Sequence, residues 1–121
     1  MKGWVKNTNK FFLESKLFII PSLYEGLGNV AIDSLNNNTP VIASKCKSGP
    51  REVIKNNKGG YLVEVNDINQ TVNKMNYCIN NYNEALFKTK YGRLYLNRFL
   101  IKNGSNLYLN FLNKVLTKKK L

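Results

Sequence analysis

The sequence predicts an α/β layered fold of about three parallel strands with flanking helices, and three observations carry that expectation. Short apolar runs recur at "KLFIIP" (16–21), "TPVIAS" (39–44) and "GGYLVEV" (59–65), each bounded by turn residues. Runs of this length, apolar without strict alternation, suit strands buried on both faces. Between and after them, apolar residues recur at helical spacing. Strand–helix–strand order then implies parallel pairing through right-handed crossovers. At 121 residues the chain fits one domain, long enough for a core but not for two full lobes.

Residues 8–15 ("TNKFFLES") predict a short helix with Asn7 or Thr8 as its cap. The first strand follows and stops at Pro21. From Gly28 onward, Val30, Ala31, Ile32 and Leu35 fit one side of a helix. The second strand tolerates Pro40 only at its start, because proline has no N–H for the ladder. Pro50 favours a helical turn over "PREVI" (50–54). After the third strand Asp67 caps a helix, with Gln70 as its capping-box partner and Ile68, Val72, Met75 and Ile79 as its apolar face. Two further helical patterns cover 83–100 and 105–117. In the second, Leu107, Phe111, Leu112, Val115 and Leu116 form one face before "KKK" at 118–120, which is expected to fray. Trp4, Phe11 and Phe12 read as core or as cover for the first strand.

Composition narrows the chemistry. There is no histidine, which removes the commonest general base, the usual zinc ligand and every serine–histidine or cysteine–histidine scheme. Cys46 and Cys78 are too few for a disulfide framework and show no metal-ligand spacing. No apolar run approaches the roughly 18 residues of a membrane span, and the first residues lack the features of a signal peptide, so a cytoplasmic protein is expected. Lys and Arg number 19 against 7 Asp and Glu, a net +12 that attracts polyanions and raises the reading of a basic nucleic-acid or membrane-surface module. Against it, the cations are scattered apart from "KKK", and no aromatic and basic residues interleave into a binding face. A basic solvated surface accounts for the charge as well, and no nucleic-acid partner is expected.

"SLYEGLGNVAIDSL" (22–35) is where chemistry concentrates. In open α/β sheets ligands bind beyond the carboxyl ends of the strands, and Pro21 to Asn29 lies there. A helix N-terminus offers unpaired N–H groups and partial positive charge to a phosphate. Gly26 and Gly28 let a bulky ligand approach the main chain, since no Cβ intervenes. Glu25 can accept hydrogen bonds from two hydroxyls of a sugar. Asp33, eight positions later, is placed to reach a second polyol such as a ribose. A phosphate between two hydroxyl-rich groups describes a sugar nucleotide. The residues alone leave a second reading open, in which Glu25 is a loop carboxylate near Lys45 or Lys47.

The stretch "FIIPSLYEGLGNVAIDSLNNNTPVIASKCKSGPREVI" resembles the donor-site region of the large retaining glycosyltransferases with two facing Rossmann-like domains, the GT-B architecture of family 4. "GWVKN" (3–7), "GGYLVEVND" (59–67) and "RFLIKNGSNLYLNFLNKVL" (98–116) extend the likeness over nearly the whole chain. The resemblance implies a partial Rossmann-like fold, with residues 1–121 forming a truncated C-terminal nucleotide-sugar-binding domain. It implies transfer of a sugar, with retention, from a UDP- or GDP-linked donor to a glycan, lipid-linked or polysaccharide acceptor. Neither metal nor cofactor is implied.

Residue by residue, the resemblance gives Glu25 the catalytic and donor-binding role, through hydroxyls of the donor sugar. Gly26, Leu27, Gly28 and Asn29 match the turn whose amides face sugar and diphosphate, and Asp33 matches the acidic residue that holds the ribose. That residue is usually Glu, so Asp33 reaches about one methylene less. Lys45, Lys47 and Arg51 match no phosphate-clamping cation of the family. Two readings follow: a donor-site half acting with a companion polypeptide that supplies the N-terminal domain, peripheral at the inner membrane face, or an inactive truncated remnant.

Overall fold

The computed structural model describes residues 3–118. Its elements are α1 (Asn9–Glu14), β1 (Phe18–Ile20), α2 (Asn29–Asn36), β2 (Val41–Ser44), α3 (Pro50–Val53), β3 (Tyr61–Val63), α4 (Ile68–Asn80), α5 (Tyr82–Leu94), a 3₁₀-helix (Tyr95–Phe99) and α6 (Ile101–Lys118). The sheet runs β1-β2-β3 with both pairs parallel, Ile19 opposite Ile42 and Ile42 opposite Tyr61. Fold class and parallel pairing agree with the α/β expectation. Lys119 and Lys120, where fraying is expected, lie outside the described residues.

Strand geometry distributes the apolar residues between two cores, because successive side chains point to opposite faces. Val41 and Ala43 join Ile20, Ala31, Leu35, Val53, Ile54 and Leu96 on the α2–α3 side. Ile42 joins Tyr61, Val63, Cys78 and Ala85 on the α4–α5 side. The four residues of β2 are accordingly all buried, as a central parallel strand covered on both faces requires. Leu35 and Ile42 are fully enclosed, each contributing about 1.5–3 kcal/mol of burial.

The Ser34 and Thr39 hydroxyls buried by this packing are matched, whereas the buried Tyr61 hydroxyl has no hydrogen-bond partner among the described residues. The Ser34 hydroxyl donates to the Thr39 carbonyl at 2.8 Å, and the Thr39 hydroxyl donates to the Phe12 carbonyl at 2.8 Å. These bonds tie α1 and α2 to the entry of β2. Phe12, itself buried, meets Phe18 edge-on at 5.0 Å, and Phe18 packs against the first core. Trp4 does not join it: its side chain is 89% exposed, and Phe11 also faces outward.

Local predictions hold where short-range chemistry decides. Asp67 accepts from the Gln70 N–H at 2.8 Å and caps α4. The return half of the capping box is absent, because the Gln70 side chain accepts from Glu64 N–H instead. At α1, Thr8 occupies the cap position without a side-chain bond, while Asn7 accepts from Asn9 N–H at 2.9 Å. The single helical pattern over 83–100 divides after Leu94. The tighter 3₁₀ winding there accompanies the turning of Leu96 into the first core. Arg98 donates to the Glu52 carbonyl from the same segment, and Gly92 lies against Gly59 so closely that a Cβ on it would be 2.7 Å from the Gly59 oxygen.

Leu35→Ala should lower the unfolding free energy by about 2–5 kcal/mol, the range for an enclosed leucine. Leu107→Ala, at a side chain 68% exposed on α6, should change it by no more than about 0.5 kcal/mol. Urea titration followed by circular dichroism checks both.

Candidate functional site

β1 ends at Ile20, and Pro21, with no N–H to donate, begins the loop that leads to α2. The loop turns into the helix at Gly28, whose φ of 76° and ψ of 54° are left-handed. A side chain there would be strained, and a Cβ would stand 3.0 Å from the Pro50 ring. As N-cap, Gly28 supplies no side-chain acceptor, and the first turn of α2 has no acidic residue. Ala31 N–H reaches the Gly28 carbonyl at 2.8 Å. The amides of Asn29 and Val30 precede any intrahelical acceptor and so form a positively polarised end.

Glu25 sits half-buried in this loop. The Ser22 hydroxyl donates to Glu25 Oε1 at 2.8 Å, and the Ser48 hydroxyl donates to the Glu25 carbonyl at 2.8 Å. Ser44, at the end of β2, donates in turn to the Ser22 carbonyl. The carboxylate is thus anchored through one oxygen, while Oε2 accepts from none of the described residues. Lys45 pairs with Glu64 and not with Glu25, which removes the reading of Glu25 as the partner of that lysine. Arg51 donates from Nε to Asn56 at 2.9 Å and makes no ion pair with Glu52.

A second loop clamps the first. Gly49 has φ +81°, and a Cβ on it would fall 2.4 Å from the Gly26 carbonyl oxygen and 3.1 Å from Glu25 Cβ. Gly26 differs: a Cβ there would meet nothing within 4 Å. Packing therefore requires glycine at 49 and leaves the glycine at 26 facing open space. Leu27 and Asn29 are exposed, as is Tyr24 at 87%.

Asp33 lies one turn beyond Asn29 on α2 and is half-buried. Its carbonyl accepts from the Asn37 N–H at 3.1 Å and the Asn37 side-chain amide at 2.9 Å. Its carboxylate has no hydrogen bond or ion pair among the described residues. The structure thus brings Glu25 and Gly26 together with Ser22, Ser48 and Gly49, and sets Gly28 against Pro50. Asp33 makes no bond to this group.

A cavity of about 200 Å³ opens at the carboxyl ends of all three strands, with Ile20, Pro21, Ser44, Val63, Asp67 and Thr71 in its wall. Glu25 is not part of that wall, although Ser44 touches both the cavity and the Glu25 network. No described group with a shifted titration lines this cavity: the Tyr91–Tyr95 pair lies beside Lys55, and the others cluster where α4 and α5 pack on β3. Burial there pushes the Cys78 thiol up and Lys88 down, with the Lys88 ammonium 4.1 Å from the centre of the Tyr61 ring. Ser22, Ser44 and Ser48 are the contributors that reading the sequence misses. The three-residue spacing of Ser22 and Glu25 is the one local signal for them.

Parallel strands in sequence order, helices on both faces and a polarised loop beyond the first strand define a Rossmann-like α/β domain. Residues 1–95 match the family model described as glycosyl transferases group 1, and the chain belongs to that family. It is 36% identical over 81 residues to a poly(ribitol-phosphate) alpha-N-acetylglucosaminyltransferase of Staphylococcus aureus, an alignment covering 67% of this chain and 16% of the relative. With an Escherichia coli UDP-Gal:alpha-D-GlcNAc-diphosphoundecaprenol alpha-1,3-galactosyltransferase it shares 30% identity over 73 residues, 60% of this chain and 19% of that one. The crystal structure of TarM superposes with a TM-score of 0.80 at 30% identity, covering 93% of this chain and 23% of TarM. The chain spans less than a quarter of the length of these proteins.

Gly49→Ala should destabilise the chain by about 1–3 kcal/mol, through overpacking against the Glu25 loop and the positive φ. Gly26→Ala should stay within about 0.5 kcal/mol of the parent. Thermal unfolding of the two variants side by side checks the contrast.

Proposed function

We propose that this chain is the donor-binding part of a retaining glycosyltransferase that takes a sugar from a nucleotide diphosphate and places it on a glycan, lipid-linked or polysaccharide acceptor. One observation carries the reading: a carboxylate anchored by Ser22 beside the uncapped N-terminus of α2. The free oxygen of Glu25 accepts from hydroxyls of the donor sugar and fixes the orientation of its anomeric carbon. The amides of Asn29 and Val30 face the diphosphate, with the main chain of Gly26, Leu27 and Gly28 alongside. The acceptor hydroxyl oxygen bonds to the anomeric carbon, and its proton passes to the departing phosphate oxygen. As the bond from that carbon to the phosphate oxygen breaks, its electron pair leaves with the diphosphate. The helix end stabilises that charge more than it stabilised the bound donor. Asp33, one turn into α2, holds the ribose.

The names of the relatives support the same reading. One acts on poly(ribitol phosphate), and the other takes galactose from UDP to a diphosphoundecaprenol-linked acceptor. Gly26 adds an argument from this chain, since nothing in the packing requires glycine there and a close-lying ligand does. The acceptor site and the cations that balance the diphosphate come from residues outside this sequence, on the same or a companion polypeptide.

Calorimetric titration with UDP- and GDP-sugars, on the chain and on the assembled enzyme, tests the proposal. Glu25→Gln should weaken donor binding and turnover by about tenfold or more, as loss of a charged hydrogen-bond acceptor does. Asp33→Asn should have the smaller effect. Unchanged turnover with Glu25→Gln would show that this carboxylate does not hold the donor.

A further inference from the structure

Among the described residues β3 is an outer strand of the sheet, paired with β2 alone. Along a strand, the N–H and C=O of one residue face one neighbour and those of the next residue face the other side. Lys45 N–H donates to the Val63 carbonyl at 2.8 Å, so Tyr61 and Val63 face β2. Leu62 and Glu64 therefore turn their backbone groups outward. An open row of such groups is a template on which another strand can pair. Here neither N–H is open. Leu62 N–H donates to Asn57 Oδ1 at 2.9 Å, and Glu64 N–H donates to Gln70 Oε1. The Glu64 carbonyl is also taken, by Asp67 N–H at 3.2 Å.

The two side chains arrive from opposite ends of the strand, and each is held in place. Asn57 closes a run of three left-handed residues, with φ of 51° at Lys55, 50° at Asn56 and 74° at Asn57. Asparagine tolerates that conformation better than most residues. Arg51 Nε donates to Asn56 Oδ1 at 2.9 Å, and Gly59 N–H donates to the Ile54 carbonyl at 2.8 Å, which fixes the turn. Gln70 stands in the first turn of α4, where the Asp67 cap at 2.8 Å sets its position. Each N–H has one hydrogen to give, so an oxygen already on it excludes the carbonyl of an incoming strand. The ladder positions are filled from within the chain, whatever else lies beside the edge. We propose that Asn57 and Gln70 are plugs that close the outer edge of β3 against strand addition. The partner they exclude is the β3 edge of a second copy, paired antiparallel about a two-fold axis. Neither side chain bonds to Glu25 or Asp33, so this closure is independent of the proposed glycosyl transfer.

Amide hydrogen exchange of the full chain, read residue by residue by NMR, tests each plug separately. In the parent both Leu62 and Glu64 N–H should be protected. Asn57→Gly keeps the left-handed turn and removes the oxygen, so Leu62 should exchange about tenfold faster while Glu64 is unchanged. Gln70→Ala should do the reverse. Asn57→Asp and Gln70→Glu retain an acceptor oxygen and should keep the protection. The net charge of +12 also holds copies apart, so association is measured by sedimentation velocity at high salt. There Asn57→Gly with Gln70→Ala should associate about tenfold more tightly than the parent, and protection of Leu62 and Glu64 should return as concentration rises. Should the double variant not fold, Asn57→Gly alone is judged by the same two readings. The proposal is overturned if the two amides exchange unprotected in the parent, or if the variants leave both rates unchanged. Lost protection without added association would overturn it too, since something other than the plugs would then guard the edge. So would added association that leaves Leu62 and Glu64 unprotected, because the copies would meet through another surface.

Discussion

A strand that is hydrogen-bonded on both edges and covered on both faces has no freedom of placement, and β2 is such a strand. Val41 and Ala43 commit one helix layer and Ile42 commits the other, so a one-residue slip would exchange the two cores. Because both pairings are parallel, every chain return must cross from the carboxyl end of one strand to the amino end of the next. The loops that follow β1, β2 and β3 therefore open at the same end of the sheet. The Glu25 loop, the Ser48–Gly49 turn and the segment before α4 are neighbours for that reason. The site does not need a dedicated scaffold; it is where the topology sends the loops.

The fold is legible wherever a residue's own chemistry or a short repeat decides. Strand runs, Pro40 at a strand entry, Pro50 at a first helical turn and Asp67 as a cap are all read correctly before any coordinates. What the sequence conceals is settled between distant segments. The pattern over 83–100 is uniformly helical, yet the burial of Leu96 and the close approach of Gly92 to Gly59 divide it after Leu94. Gln70 has the spacing of a capping-box partner, but Glu64 N–H, placed by the end of β3, takes its side chain. Trp4 is large and apolar, and no packed surface of the described chain reaches it.

The candidate site divides along the same line. The loop, its glycines and its carboxylate stand out in the sequence because glycine and an acidic residue at a strand-to-helix turn are chemically conspicuous. The serines that hold Glu25 do not stand out, since Ser48 is 23 positions away and Ser44 acts through Ser22. Gly49 is legible only as part of a turn. Its steric role exists because Gly26 and Glu25 pass over it at a distance that no side chain permits.

The anchoring also separates two functions that one carboxylate has to combine. A glutamate free in a loop would sample several rotamers, and ordering it around a ligand would cost on the order of a kcal/mol. Here Ser22 fixes Oε1 and Ser48 fixes the backbone carbonyl, so that ordering is complete before any ligand arrives. The other oxygen keeps its lone pairs, and the uncapped first turn of α2 keeps its amides. A preorganised acceptor and a preorganised set of donors side by side suit a ligand that is a hydroxyl donor at one end and an anion at the other. Had Ser22 been replaced by a lysine, the same glutamate would be held by charge, its acceptor strength spent on an ion pair. A neutral hydroxyl holds the carboxylate in place while leaving its negative charge available to the ligand.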